Sequence, residues 1–294
     1  MRVPRVLLPV LAAGCLAVSS GPLPASAAPG LAAAVVSTSR AEPLERAHAH
    51  NDYEHDRPLQ DALAAGFTSV EADVYLVGSE LLVAHDPQGV RAGVDLRTLY
   101  LDPLRAQVRA SRGHAYPGYR GVFQLLVDVK TDPVLTYRAL DQLLAQYRDV
   151  LWRWDDGRTV PGAVQVVVSG NRDRLGMQNQ RVRYAGYDAR LIEVGTVDGV
   201  LSPLVSDSFT DQFTWRGIGA MPTAERAKLR AAVSRAHAAG QRVRFYNTPD
   251  AAPERTAVWA ELVAAGVDHL NTDDLEAMRS WLLANDPQEN RRAA

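Results

Sequence analysis

Disulfide chemistry is closed to this chain. Of its 294 residues only Cys15 is a cysteine, so no internal bridge can form. Strong charge of either sign is also missing: a net charge of −2 leaves no electrostatic footprint for nucleic acid or an anionic membrane surface. Any contact with phosphate must therefore be local. A membrane-spanning run is lacking too. Val6 to Val18 is apolar but shorter than the roughly 20 residues a spanning helix needs, so no stable membrane insertion is expected. That run follows the basic head Met1–Arg5 and precedes Pro22, Pro24 and the small-residue site Ala25-Ser26-Ala27, the layout of a secretory signal cleaved near Ala27. A rival reading takes Leu11-Ala12-Ala13-Gly14-Cys15 as a lipoprotein processing site with Cys15 as the lipidated terminus. Cleavage at Ala27 removes Cys15, which excludes thiol catalysis in the mature protein and leaves stability to the core.

What is present is an ordinary globular composition, 47% hydrophobic and 22% charged. Residues 1–27 read as the signal peptide and 28–43, rich in Ala, Ser and Pro, as a flexible lead-in. Residues 44–284 read as one domain, and 285–294 as a polar, frayed tail. Within the domain, short apolar runs alternate with helical patterns. Strands are expected at Arg46–His50, Ser69–Leu76, Phe123–Lys130, Ala163–Ser169, Arg190–Val194, Val200–Ser206, Arg242–Asn247 and Val267–Thr272.

The helices between them are punctuated. Pro58–Ala65 stops at Gly66, Pro253–Ala265 at Gly266, and Thr223–Ala239 presents Leu229, Ala232, Val233 and Ala236 on one face before Gly240. Asp273 and Glu276 have capping-box spacing ahead of Leu275–Leu283. Eight strands alternating with helices are the pattern of an α/β (β/α)8 TIM barrel, with a doubly wound sheet as the alternative. A barrel demands polar residues at the carboxyl ends of strands. His50, Glu71, Asp73, Asp128, Lys130, Ser169, Asn171, Asp207, Asn247 and Asn271 all fall there.

The densest stretch runs from His48 to Asp86. It holds four of the seven histidines and places Glu71 and Asp73 two apart inside the apolar run VEADVYL. Residues two apart in a strand share a face. Two carboxylates on one face repel and lose hydration, an objection a divalent cation removes. An all-oxygen donor set suits one Mg²⁺ or Ca²⁺; a solvated edge strand is the plain alternative. Asp128 offers a third carboxylate, and Lys130 on the same face is a compact charge for a phosphate oxygen, or else a rim salt bridge. His50 and His85 are the acid–base candidates. His48, one layer deeper than His50, reads as a supporting residue, while His55, His114, His237 and His269 receive no role.

The aromatics of Ser206–Gly219, Phe209, Phe213 and Trp215, either form a lid or pack beneath their loop. Arg244 either aids phosphate binding or is solvated. The His48–His50 pair also opens a zinc amidohydrolase reading, which needs further histidines that the chain lacks between His114 and His237. A non-catalytic, metal-containing binding barrel is a further alternative.

The run His50-Asn51-Asp52-Tyr53, with Pro58-Leu59, Ala62-Leu63, Gly66, Val70-Glu71-Ala72-Asp73-Val74 and His85-Asp86, resembles the glycerophosphodiester phosphodiesterase / phosphatidylinositol phospholipase C-like superfamily. Within it, the HNDY motif is similar to the branch typified by altered inheritance of mitochondria proteins. Gly170-Asn171, Val258-Trp259 and Asn271-Thr272-Asp273-Asp274-Leu275 extend the likeness over most of the mature chain.

The resemblance implies a TIM barrel that hydrolyses phosphoric diesters, on glycerophosphodiesters or phospholipid-type substrates. His50 and His85 would be the acid and base, Glu71, Asp73 and Asp128 the cation ligands, and Lys130, Asn51, Asn171, Arg244 and Asn271 the substrate contacts. The chain departs from glycerophosphodiesterases in lacking their HRG and Glu-Asn-Thr motifs. Asp128, where many relatives carry Glu, matches the venom sphingomyelinase D pattern. A secreted monomer acting on a small-molecule or lipid diester is the resulting expectation.

Overall fold

A computed structural model describes residues 41–286 of the protein. The expected signal segment, Cys15 and most of the lead-in lie outside the described residues, as does the tail beyond Asp286. Eight parallel strands form the body: β1 (Leu44–Ala49), β2 (Phe67–Val77), β3 (Phe123–Val129), β4 (Val164–Gly170), β5 (Ala185–Ala189), β6 (Leu204–Ser208), β7 (Arg242–Tyr246) and β8 (His269–Thr272). Each pairs with the next in chain order, and β8 pairs back onto β1, which closes the sheet. The fold is the expected (β/α)8 barrel.

Strand alternation gives the barrel two different faces. Outward, Val70, Ala72, Val74, Leu125, Val127, Val166, Val168, Val205, Val243, Phe245 and Leu270 are buried against helices that contribute Leu104, Leu140, Leu144, Leu229, Leu262, Trp259 and Leu282. Burying each such side chain stabilises the fold by about 1.5–3 kcal/mol. Inward, apolar residues are few. Leu126, Val167 and Leu204 form a small separate cluster, and the remaining inward positions are largely polar. The amphipathic helix Thr223–Ala238 buries Leu229, Ala232, Val233 and Ala236 as its spacing predicts. The helix Glu254–Ala265 ends where Gly266 takes a φ of 86°, a left-handed conformation that favours glycine.

Several expected boundaries are corrected. The fifth strand is Ala185–Ala189, not Arg190–Val194; Leu191–Glu193 is a 3₁₀ turn. Its sequence, AGYDA, has no β-branched residue, and Gly186 is required because a Cβ there would lie 2.4 Å from Pro203 Cδ. The sixth strand begins at Leu204 rather than Val200. Asp207 is therefore inside that strand, on the opposite face from Ser206. It accepts hydrogen bonds from the amides of Leu191 (3.2 Å) and Ser208 (3.0 Å), so it does not belong to the rim. The last helix is Leu275–Asn285, capped by Asp274, which accepts from the Ala277 amide, in place of the expected Asp273–Glu276 box. Asn285 and Asp286 thus belong to the folded body, where buried Asp286 pairs with Arg46 at 2.8 Å.

Two local features change how the mouth is built. Glu80–Val83 turns back antiparallel on the end of β2, extending the sheet past the barrel and delivering His85 beside the second strand. The aromatics after β6 pack beneath their loop against the outer face of β7 rather than forming a lid. Phe209 and Phe213 lie 5.0 Å apart, Phe213 is 5.7 Å from Phe245, and all are buried. Among the described residues no helix is long and apolar enough to cross a membrane.

Candidate active site

At the carboxyl ends of the strands, β2 and β3 run in register with Asp73 opposite Asp128. Their inward faces bring Glu71, Asp73 and Asp128 together, each offering an oxygen within 4.8 Å of the others. Lys130, one residue past β3, places Nζ 2.9 Å from Asp73 Oδ2 and 3.0 Å from Asp128 Oδ1. Burial would lower the lysine, but the charges of Asp128 and Asp73 outweigh it and raise its pKa. Lys130 is therefore a fixed cation of the cluster. The rim salt bridge anticipated for Asp128 and Lys130 is present, and it also includes Asp73.

Beneath this layer sits a buried polar network. Arg244, on β7, donates through Nη1 to Glu71 Oε2 at 2.6 Å and to His48 Nε2 at 2.6 Å. Its group also reaches Ser206 Oγ and Asn271 Oδ1, each at 3.3 Å. The solvated alternative for Arg244 is thereby corrected: the residue is 3% exposed and holds the acid cluster from below. Asn271 is likewise inside the barrel. Burial alone would raise the Glu71 carboxyl, yet the Arg244 charge outweighs it and holds Glu71 well below the usual carboxylate range.

Burial, reinforced by Arg244, pushes His48 down to about 4. A neutral His48 donates from Nδ1 to Ser69 Oγ (2.7 Å) and accepts from Arg244 at Nε2, an assignment made from the network. Its 3.3 Å approach to Glu71 is then a contact without a bridging proton. Both ring nitrogens are occupied, one of them by a guanidinium, so His48 is no zinc ligand and the binuclear zinc reading loses its first residue.

The histidines of the mouth are each oriented by a partner. His50 follows β1, its amide bound to Thr272 O at 2.9 Å, and its Nδ1 lies 2.8 Å from Asp273 Oδ1. Burial would lower His50, but the Asp273 hydrogen bond and the charges of Glu71 and Asp273 outweigh it, so its pKa is raised. The HNDY turn then folds back. Asn51 takes a left-handed φ of 46°, and buried Asp52 accepts from the Leu59 amide at 2.6 Å. Tyr53 is thereby aimed at the second strand. Its hydroxyl lies 2.8 Å from Asp73 Oδ2, 2.8 Å from Asn51 Oδ1 and 3.2 Å from His85 Nδ1. With one proton to give, the hydroxyl donates to the carboxylate and accepts from His85 Nδ1–H. In both histidines Nδ1 is thus engaged and Nε2 is left for chemistry.

Sequence reasoning missed Asp273 and Tyr53 as orienting groups. Tyr53 stood within the HNDY motif, and Asp273 at the end of β8 was the available signal at the rim. Asn171 is at the expected place, but its side chain donates to Thr131 O at 3.1 Å, tying one strand-end loop to the next.

The acid cluster fits a divalent cation. Asp73 Oδ1 is buried without a hydrogen-bond partner among the described residues. Burial and the charge of Glu71 lift the Asp73 pKa to about 6, against the pull of Lys130. Arg244 and His48 both approach Oε2 of Glu71, which leaves Oε1 for a further ligand. An oxygen-only set of this kind suits a hard cation.

The chain is similar to several known proteins. Residues 38–188 match the AIM6-like phosphodiesterase domain, and residues 242–276 match the glycerophosphoryl diester phosphodiesterase family. Altered inheritance of mitochondria protein 6 of Eremothecium gossypii is 32% identical over 302 residues, covering 86% of this chain and 73% of the relative. The homolog from Arthroderma benhamiae is 27% identical, covering 80% and 82% of the two chains. A solved glycerophosphoryl diester phosphodiesterase from Parabacteroides distasonis aligns over 84% of this chain and 88% of its own, with 11% identity and a TM-score of 0.46. With a family match over half its length and a relative of this identity, the chain belongs to the AIM6-like phosphodiesterase domain family.

Proposed function

We propose that the protein is a secreted, divalent-cation-dependent phosphoric diester hydrolase acting on glycerophosphodiesters or phospholipid-type diesters. One observation carries the reading: two histidines, each with Nδ1 fixed by a neighbour, stand beside a three-carboxylate cluster at one barrel mouth. Glu71, Asp73 and Asp128 would hold the cation, Mg²⁺ or Ca²⁺, which when bound neutralises phosphate charge as a Lewis acid. Lys130 adds a fixed positive charge next to the reacting phosphate. His50 and His85 exchange protons at Nε2. One takes the proton of the attacking hydroxyl, from water or a neighbouring substrate alcohol, and the other protonates the leaving alkoxide. Asp273 holds the imidazole of His50 in one tautomer, and Tyr53 does the same for His85.

The test is turnover of bis-p-nitrophenyl phosphate with and without EDTA, followed by phosphorus NMR of the products from a panel of glycerophosphodiesters and lysophospholipids. Expected are activity that EDTA abolishes and magnesium or calcium restores, and a loss of roughly a hundredfold or more in His50→Ala and in His85→Ala with folding intact. Turnover unaffected by EDTA, or near-normal turnover in either variant, refutes the mechanism. A non-catalytic binding barrel would show no turnover at all.

A further inference from the structure

Next to the acid cluster, the end of β4 carries an unmatched positive charge. Gly170, at a φ of 64°, closes the strand so tightly against β3 that a Cβ there would lie 2.4 Å from Asp128 Oδ1. Asn171 is then pinned by its amide to Val129 O (2.8 Å) and by its side chain to Thr131 O. The next residue is Arg172. Its Nε and Nη1 are both buried, and neither has a hydrogen-bond partner among the described residues.

Among the described residues no acid forms an ion pair with Arg172, and its neighbours show why. The charges that act on Arg172 are those of Arg190, Asp188, Arg174 and Glu193. Glu193 is held in a two-pronged pair by Arg174 and also accepts from the Arg190 amide. Asp188 Oδ2 receives Ser169 Oγ at 3.1 Å and Arg190 Nη1 at 3.3 Å. Arg244 and Arg172 also act on Asp188 by charge; Arg244 is committed to Glu71, Arg172 makes no ion pair with Asp188, and Asp188 Oδ1 is buried with no hydrogen-bond partner among the described residues. Among the described residues, Glu193 is paired by Arg174 and Asp188 by Arg190, so the third arginine, Arg172, feels both acids only through space and keeps its donors unused. Arg190 is itself stacked 5.7 Å over the Tyr246 ring at the end of β7.

A guanidinium is a permanent cation with a planar fork of donors that matches carboxylate or phosphate oxygens. β4 adjoins β3, and β5 lies one strand further on, so the strand ends that carry Arg172 and Arg190 stand about 5–10 Å along the rim from the end of β3 at the usual strand spacing. That separation suits a second group of the same substrate rather than the scissile phosphate itself.

We propose that Arg172, backed by Arg190, forms a subsite for a negatively charged head group, a carboxylate or a phosphate, on the phosphodiester substrate. The inference rests on the hydrolase reading above. The test uses three p-nitrophenyl phosphodiesters that differ in the second alcohol: propyl, 2-carboxyethyl and 3-phosphopropyl. Each is assayed with the magnesium- or calcium-loaded full-length protein.

For the native protein, kcat/KM should favour the charged esters over the propyl ester by about tenfold or more, mainly through KM. In Arg172→Gln that ratio should fall to near one, and Arg172→Lys should be intermediate. Because the readout is a ratio within one protein preparation, partial misfolding cannot imitate it. Whichever charged ester gains more identifies the head-group chemistry.

Hydrolysis with no preference, or a preference that survives in Arg172→Gln, overturns the subsite and leaves the hydrolase reading standing. Calorimetry with 3-hydroxypropanoate and 3-hydroxypropyl phosphate separates the opposite case. Binding that requires Arg172, in a protein that turns over none of the three esters, sinks the hydrolase reading and keeps the anion site.

Discussion

Replacing Arg244 by Met tests the buried layer on which the acid cluster rests. The Arg244 and Glu71 side chains are 4% and 6% exposed and meet at 2.6 Å, so Met leaves a carboxylate buried beside two others with its partner gone. Breaking a buried pair from one side costs about 3–5 kcal/mol. At about 2–4 °C per kcal/mol for a domain of this size, the melting midpoint should fall by roughly 6–20 °C.

Circular dichroism melts in EDTA at pH 7.5 measure this directly. The double variant Glu71→Leu/Arg244→Met should recover most of the loss, because the unpaired charge is then gone. The pH dependence has a definite sign. Arg244 depresses the Glu71 pKa below its ordinary 4.5, so the stabilisation is present above that value and is lost as pH falls toward the folded-state pKa. In Arg244→Met burial instead raises the Glu71 carboxyl, so the gap between native protein and variant should begin to narrow as pH falls through that raised value, and go on narrowing below 4.5. A midpoint within about 2 °C of the native protein at pH 7.5 would refute the argument, since the magnitude requires at least three times that shift.

The remaining predictions concern groups around the mouth. Asp273→Asn removes the charge that raises His50, so the pH–rate limb belonging to His50 should move to lower pH and kcat should fall about tenfold or more; an unmoved limb would separate His50 from catalysis. Tyr53→Phe should reduce kcat/KM by about tenfold while costing only about 1 kcal/mol in stability, the net worth of one hydrogen bond; chemical denaturation and steady-state kinetics on the same preparation check both. Asp52 is different, because burial lifts its pKa from 3.8 to about 6, against the pull of the Leu59 amide. A raised acid contributes stability below its unfolded pKa that is lost as pH climbs through the folded value. Asp52→Asn keeps an acceptor for the Leu59 amide, so it should be more stable than the native protein by on the order of 2–3 kcal/mol at pH 7.5 and equal to it near pH 4. Urea titrations at the two pH values decide it, and equal stability at pH 7.5 would be the failing result.

Much of this site follows from short-range pattern. The pair Glu71 and Asp73 sits in a strand whose alternate residues, Val70, Ala72 and Val74, had to face a core, so the carboxylates had to face the other way. The same alternation gave Asp128 and Lys130, and the helix Thr223–Ala238 announced its buried face by spacing. Where the local signal is poor, tertiary pairing decides the strand. AGYDA has little strand propensity and is held as β5 by pairing with Val166–Val168 and by the close approach of Pro203. The polar run at Asp207 hid a strand that continued to Ser208 because it pairs with Arg242–Tyr246.

Local residue pattern sets the alternation of strands and helices, the side each carboxylate takes, and the His50 and His85 candidates near them. Which group orients or compensates which is set by long-range packing. Asp273 lies 223 residues from His50, and Arg244 lies 173 from Glu71. No periodicity reports such a contact, because it exists only after β8 has paired with β1 and the barrel has closed. The stretch from His48 to His85 supplies most of the chemical groups, and ring closure supplies the charges that set their protonation.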